Sequence, residues 1–203
     1  MKPVAIGACL LIFFALAGFA EPPANQPDIM DEHPPAGHPV VLKPGADWPK
    51  PKAADVSSVE SIVAAYYAAT SGTPNQPRDW NRFRSLFHPQ ARLIPARPTG
   101  DGGAGAFFLD VNDYIQQNQK YFDKSGFIDT EAARRVETFG NIAHVWSTYE
   151  SRRSSAATEP YARGIASIQL LKDNDRWWIV SIFWDFERPG NPVPEKYRTT
   201  PKN

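Results

Sequence analysis

Residues 140–150, with the sequence GNIAHVWSTYE, decide the fold of this chain. Gly140-Asn141 is typical of a two-residue hairpin turn, and apolar and polar residues alternate on both sides of it. This pattern predicts an antiparallel hairpin, because an alternation of two places successive side chains on opposite faces of a sheet. The predicted pairs are Phe139 with Ile142, Glu137 with His144, Val136 with Val145, Arg135 with Trp146, and Ala132 with Tyr149.

The same alternation extends over residues 127–187, and Asp173-Asn174-Asp175 marks a second turn. If that turn has three loop residues, the flanking strands share one nearly pure apolar face. A two-residue turn would change the partners and keep the alternation within each strand. The pairs expected on the apolar face are Leu170 with Trp178, Ile168 with Val180, Ala166 with Ile182, and Gly164 with Trp184, where the glycine leaves room for the indole. On the opposite face Arg163 pairs with Asp185.

Three amphipathic helices are predicted ahead of these strands. The first begins at a capping box formed by Ser57 and Glu60, and the third is capped by Asp110. A short strand at 91–95 separates the second helix from the third. The three helices cover residues 57–71, 80–87 and 110–125.

The segment GDGGAG at residues 100–105 superficially resembles a loop that cradles phosphate. No Lys-Ser or Lys-Thr pair follows it, and no strong strand precedes it to open a βαβ unit. We therefore predict a mobile surface loop rather than a phosphate site.

Charge excludes one class of partner. The chain of 203 residues carries 22 basic and 22 acidic side chains, so its formal net charge is zero. Nucleic-acid binding depends on a clustered excess of Lys and Arg. We therefore expect no nucleic-acid partner.

The N-terminal residues 1–20 have the pattern of a secretory signal peptide: one basic residue, Lys2, a short apolar run, and Gly18 and Ala20 before the cleavage site. An uncleaved anchor is the alternative. Cleavage removes Cys9, the single cysteine, and excludes disulfides and Cys-based metal sites from the mature chain. The sequence predicts a periplasmic or secreted protein without a stable membrane anchor.

Two proline-rich segments flank the domain predicted at residues 56–187. We expect residues 21–55 to be a disordered leader and residues 188–203 to be an extended tail that packs only in part. Within the leader, residues 31–38 place two histidines and two carboxylates close together. Metal capture there competes with the simpler interpretation of a solvated linker, because flexible ligands must be ordered at an entropic cost.

The domain resembles the NTF2-like superfamily, which includes SnoaL-type and ketosteroid-isomerase-type proteins. The resemblance is carried by the segment 140–146 with Tyr149-Glu150, by Arg163-Gly164 with 167–170, and by 176–180. It implies an α+β cone, in which three N-terminal helices pack on a strongly curved, mainly antiparallel sheet. It also implies a cavity at the open end of the cone and a homodimer formed through the sheet.

Such a cavity is the default ligand site, and its aromatic residues suit a small, partly apolar molecule. Filling of the core by these residues is the alternative interpretation. The expected pocket residues are Tyr66, Tyr114, Asn118, Tyr149, Arg163, Trp178 and Trp184.

Members of the superfamily include isomerases, dehydratases, pure binders and assembly modules, so the resemblance leaves the function open. A binding protein, a ketosteroid-isomerase-like isomerase or dehydratase, and a non-catalytic envelope assembly module are all retained. The candidate catalytic residues are Asp185, His144 and Tyr149, although a cross-strand pair of His144 with Glu137 on a polar outer face is the simpler interpretation for that histidine. We predict no cofactor and no metal site in the domain.

Overall fold

A computed structural model describes residues 44–201. The predicted signal peptide, the candidate metal segment at 31–38 and most of the predicted leader lie outside the described residues. Between residues 44 and 201, no helix combines the length and apolar character that crossing a bilayer requires.

The predicted α+β class is confirmed: helices pack on one face of a six-stranded, curved sheet. The strand order is β2-β1-β6-β5-β4-β3, and every neighbouring pair is antiparallel except β1 with β6, which is parallel. The elements are α1 Ala53–Val56, α2 Val59–Thr70, α3 Trp80–Leu86, β1 Phe87–Pro98, β2 Ala104–Ala106, α4 Val111–Ser125, β3 Ile128–Phe139, β4 Ile142–Arg152, β5 Ala162–Asp173, β6 Arg176–Phe186 and a 3-10 turn at Glu195–Tyr197.

Capping residues set the ends of the helices. The capping box of α2 lies one residue later than predicted, because Ser58 and Ser61, rather than Ser57 and Glu60, exchange side-chain and backbone hydrogen bonds of 2.9 and 3.0 Å. The predicted cap of α4 is confirmed, since Asp110 accepts from the backbone N–H of Asp113 at 2.8 Å.

The hairpin of β3 and β4 confirms four of the five predicted pairs. The fifth is wrong, because Tyr149 pairs with Glu131 and not with Ala132. Ala132 is the extra residue of a β-bulge, which inserts one unpaired residue into a strand. The bulge reverses the inward and outward positions of every residue that precedes it in β3.

The pairs expected from a three-residue loop between β5 and β6 are wrong, and the two-residue alternative is the one that forms. Asp173 pairs with Arg176, so the turn has two loop residues, and Asn174 adopts a positive φ of 53° within it. A second bulge at Val180 shifts the pairing again, and Ala166 therefore opposes Trp184. Gly164 opposes Phe186 and not Trp184.

The inner face of the sheet, which packs against the helices, carries the core. Ala166, Ile168 and Leu170 of β5 share this face with Ile182 of β6, so the face predicted to be apolar is the one that meets the helices. Trp48, which falls in the predicted leader, also packs against the core and donates its indole N–H to the carbonyl of Phe87 at 3.0 Å.

The C-terminal tail crosses the opposite, outer face of the sheet. The carbonyl of Tyr197 accepts from the Thr148 hydroxyl at 2.6 Å, and the Tyr197 ring lies 5.7 Å from that of Trp146. Arg198 forms a 3.0 Å ion pair with Glu187. The chain's own tail thus covers part of the face on which the resemblance places a homodimer contact, and that homodimer stays a prediction.

Candidate functional site

A cavity of about 550 Å³ opens between the inner face of the sheet, helices α2 and α4, and the segment after β2. Its volume lies in the range that binds small organic ligands. The lining residues are Tyr66, Tyr67, Pro95, Arg97, Phe107, Leu109, Tyr114, Gln117, Asn118, Phe122, Phe127, Asp129, Tyr149, Ser151, Tyr161, Ala162, Ala166, Ile182, Trp184 and Phe186.

The lining changes in character from the interior to the solvent. Tyr66, Tyr67 and Tyr114 are buried, and we call these three residues the floor of the cavity. The lining residues that are exposed to solvent form its mouth, and they are Arg97, Phe107, Gln117 and Tyr161. A ligand would therefore meet phenol rings inside and a cationic residue at the entrance.

Asp129 is the only carboxylate among the lining residues. Its Oδ1 accepts from the Ser151 hydroxyl at 2.7 Å, and its backbone N–H donates to the Ser71 hydroxyl at 2.9 Å. Within residues 44–201, no protein group donates to Oδ2. Burial raises the pKa of Asp129 to about 7, because it disfavours the charged carboxylate more than the Ser151 hydrogen bond stabilises it.

The bulge at Ala132 accounts for the position of Asp129. Without it, Asp129 and Glu131 would share the outer face with Arg135 and Glu137, which is where the alternation of the sequence places them. The extra residue turns both carboxylates inward, and Asp129 then pairs with the inward-facing Ser151. Bulges commonly redirect a side chain beside an active site in this way.

Five tyrosines line the same cavity as this carboxylate. Burial is the first cause of the raised pKa of each tyrosine, and the charge of Asp129 raises it further. A neutral phenol is therefore the form present at neutral pH, and it can donate a hydrogen bond. The five residues are Tyr66, Tyr67, Tyr114, Tyr149 and Tyr161.

The hydroxyls of the floor differ in what they offer a ligand. The Ser147 hydroxyl donates to the Glu131 carboxylate at 2.6 Å, so the Tyr67 hydroxyl must be the donor in its 2.7 Å bond to Ser147. Tyr67 therefore presents only its lone pairs to the cavity. In the described part of the chain, the hydroxyls of Tyr66 and Tyr114 have no protein partner, so both can donate to a ligand.

Five of the seven residues predicted for the pocket line this cavity, namely Tyr66, Tyr114, Asn118, Tyr149 and Trp184. The amide of Asn118 also donates to the Tyr114 carbonyl at 2.8 Å, which satisfies its polar side chain within α4. Gly164 allows Tyr149 to reach its place, because a Cβ at this position would collide with the Tyr149 hydroxyl and the Asp185 carbonyl.

Arg163 and Trp178 lie away from the cavity, which corrects the prediction for these two residues. Arg163 faces outward on β5 and pairs with Glu150 at 2.6 Å and Glu187 at 3.1 Å. The bulge at Val180 reverses the position of Trp178, which stacks instead against the guanidinium of Arg176.

Of the three candidate catalytic residues, Tyr149 alone reaches the cavity. His144 lies on the outer face, where its Nε2 is 3.0 Å from the Ser167 hydroxyl. Asp185 accepts from Arg188 at 2.7 Å and from the backbone N–H of Phe186 at 2.8 Å. Neither lines the cavity. Sequence reasoning missed Asp129, since its inward position depends on a bulge that the alternation does not reveal. It also missed Arg97, Tyr67 and Tyr161, which line the cavity.

Between residues 44 and 201, no group of three or more His, Cys, Asp or Glu residues has the geometry of a metal site. No protein-family model matches the sequence, and a search of curated proteins finds no significant relative.

Solved structures similar to the chain in fold include NTF2-like proteins of unknown function. One, from Pseudomonas putida KT2440, is 10% identical with a TM-score of 0.49, and the match covers 67% of this chain and 90% of that one. Another, from Methylobacillus flagellatus KT, is 19% identical with a TM-score of 0.42 and coverages of 64% and 95%. A protein from Parabacteroides distasonis, provisionally assigned as a ketosteroid isomerase, is 13% identical with a TM-score of 0.43 and coverages of 64% and 88%.

Proposed function

We propose that the cavity binds a small, partly apolar organic molecule and that Asp129 transfers a proton to or from it. The observation that carries this proposal is the one carboxyl group among the described residues that line the cavity. It shares the cavity with five tyrosines and has a pKa raised to about 7. A carboxyl with this pKa is partly ionised at neutral pH and can act as either base or acid. An open cavity also disfavours the assembly module whose cone is filled by side chains.

The residues around Asp129 suit abstraction of a proton next to a carbonyl group. The free Oδ2 would take the proton from the carbon atom, and negative charge would then develop on the carbonyl oxygen. Phenol hydroxyls that face the substrate stabilise such an oxygen by hydrogen bonding, and Tyr66 and Tyr114 are both free to donate. Return of the proton to another carbon atom of the substrate completes an isomerisation. Transfer of the proton to a hydroxyl group on the neighbouring carbon, which then leaves as water as the C–O bond breaks, completes a dehydration.

Exchange of carbon-bound hydrogen tests this chemistry directly. Purified protein is incubated in D₂O with 2-tetralone, a two-ring ketone with acidic hydrogens beside the carbonyl, and their loss is followed by proton NMR. We expect faster exchange with the wild-type protein and a decrease of about 100-fold in the catalysed rate for Asp129→Asn. Asp185→Asn, which changes a carboxylate outside the cavity, should exchange like the wild type.

Ligand binding is measured separately from catalysis. Thermal denaturation in the presence of 2-naphthol and 2-tetralone should show a raised Tm for the wild type. The proposal fails if neither compound raises the Tm, and its catalytic part fails if Asp129→Asn exchanges hydrogen as fast as the wild type.

We further propose that the mature chain begins after Ala20 and works outside the cytoplasm. The pattern of residues 1–20 supports this proposal. N-terminal sequencing of the protein recovered from a periplasmic fraction or culture medium should begin at Glu21.

A further inference from the structure

The mouth of the cavity contains one cationic residue. Arg97 is the only basic side chain among the lining residues, and it is exposed to solvent. It lies near the C-terminal end of β1, where alternation with the buried Leu93 and Pro95 turns it toward the cavity. The cavity is therefore polarised, with a carboxyl group inside and a guanidinium at the entrance.

The guanidinium of Arg97 is held against an aromatic ring and has unused donors. Its centre lies 5.2 Å from the ring centroid of Phe186, another lining residue. Its hydrogen bond within residues 44–201 is to the carbonyl of its own neighbour, Ala96, at 2.8 Å. No carboxylate in the described part of the chain pairs with it. A planar guanidinium with free N–H groups binds a carboxylate through two parallel hydrogen bonds.

We propose that Arg97 anchors a carboxylate of the ligand, and that the substrates of this cavity are small organic monoanions with an apolar body and a carbonyl or hydroxyl group at the far end. This inference rests on the proposed function. The orientation follows from charge, because the carboxylate of the ligand is repelled by Asp129 at the buried end and attracted by Arg97 at the exposed end. The apolar body would then lie between them, among the aromatic rings.

Two probes that differ by one carboxylate test the inference. The probes are 2-naphthol and 6-hydroxy-2-naphthoate, and their Kd values are measured by titration calorimetry at pH 7. We expect 6-hydroxy-2-naphthoate to bind about tenfold more tightly than 2-naphthol. This gain lies between that of a surface ion pair and that of an enclosed one, because one side of Arg97 is open to solvent.

The variants Arg97→Gln and Arg92→Gln separate the specific contact from general surface charge. Arg92 lies on the opposite face of the same strand, is exposed and does not line the cavity. Arg97→Gln should bind both probes with equal affinity, whereas Arg92→Gln should keep the tenfold preference. Retention of the preference in Arg97→Gln, or a preference below threefold in the wild type, would overturn the inference while leaving the proposed function in place. Failure of the wild type to bind either probe overturns both.

Discussion

Replacing Asp129 by asparagine should stabilise the protein, and the gain should grow with pH. In the unfolded chain the carboxyl has its ordinary pKa of 3.8, whereas burial raises the pKa to about 7 in the native state. Between these two values the native state keeps a proton that the unfolded state releases. The contribution of Asp129 to stability is thus fully present below pH 3.8 and is lost as the pH rises to about 7.

The expected magnitude follows from this difference in pKa. Between pH 4 and pH 8 the contribution of Asp129 to the free energy of unfolding should fall by at most about 4 kcal/mol. Asparagine can still accept the hydrogen bond from Ser151, which the structure shows at 2.7 Å, and it never becomes charged. The variant and the wild type should therefore differ little at pH 4 and most at pH 8.

Urea denaturation of both proteins at pH 4, 5, 6, 7 and 8 measures the effect. Asp55→Asn is a contrasting control, because hydrogen bonds from Arg82 lower the pKa of Asp55 and reverse the sign. The contribution of Asp55 is present above pH 3.8 and is lost as the pH falls through its lowered pKa. Asp55→Asn should therefore be less stable than the wild type by a nearly constant amount from pH 5 to pH 8. If the free energies of wild type and Asp129→Asn change in parallel across the whole range, Asp129 is not the buried acid on which the proposed chemistry depends.

Three further predictions concern the structure around the cavity. Tyr67→Phe removes the donor to Ser147 and should lower the free energy of unfolding by about 1 kcal/mol in urea titrations, an effect that should vanish if Ser147→Ala is already present. Gly164→Ala forces a methyl group against Tyr149 and the Asp185 carbonyl, so we expect a loss of about 2 kcal/mol in the free energy of unfolding and weaker binding of 2-naphthol. Truncation after Arg188 removes Tyr197 from Trp146 and should shift tryptophan fluorescence toward the emission of a more exposed indole; an unchanged spectrum would contradict the tail position.

The β3–β4 hairpin could be predicted from the sequence because its turn residues restrict the backbone. Gly140 has a positive φ of 53°, as the turn requires, and fixes the register of residues near it. The influence of the turn ends at Ala132, since a bulge adds one residue without interrupting the alternation of apolar and polar side chains on either side. For this reason the inward position of Asp129 could not be predicted from the sequence, although its carboxyl group is evident there.

The sequence did not determine the β5–β6 register at two places, the turn and the bulge at Val180. The three polar residues at 173–175 are compatible with a loop of either two or three residues. The two-residue loop, in which Asn174 adopts a positive φ, becomes evident only from the folded backbone. Aromatic residues on both faces of β6 gave no reason to prefer one register. The pocket positions on helices α2 and α4 followed more reliably from the sequence, because the helical period fixes which side of each helix faces the sheet.

The parallel pairing of β1 with β6 affects how the chain acquires its structure during synthesis. Leu93 of β1 pairs with Ile182 of β6. During synthesis β1 therefore cannot form this pairing until β6, the last strand of the domain, has been made. Such distant pairing slows folding, because a long loop must close first. Since β6 occupies an interior position in the strand order, a nascent chain that stops short of it has two separate sheet fragments with unpaired edges. An incomplete product of this gene should therefore be a target for proteases and chaperones rather than a smaller working protein.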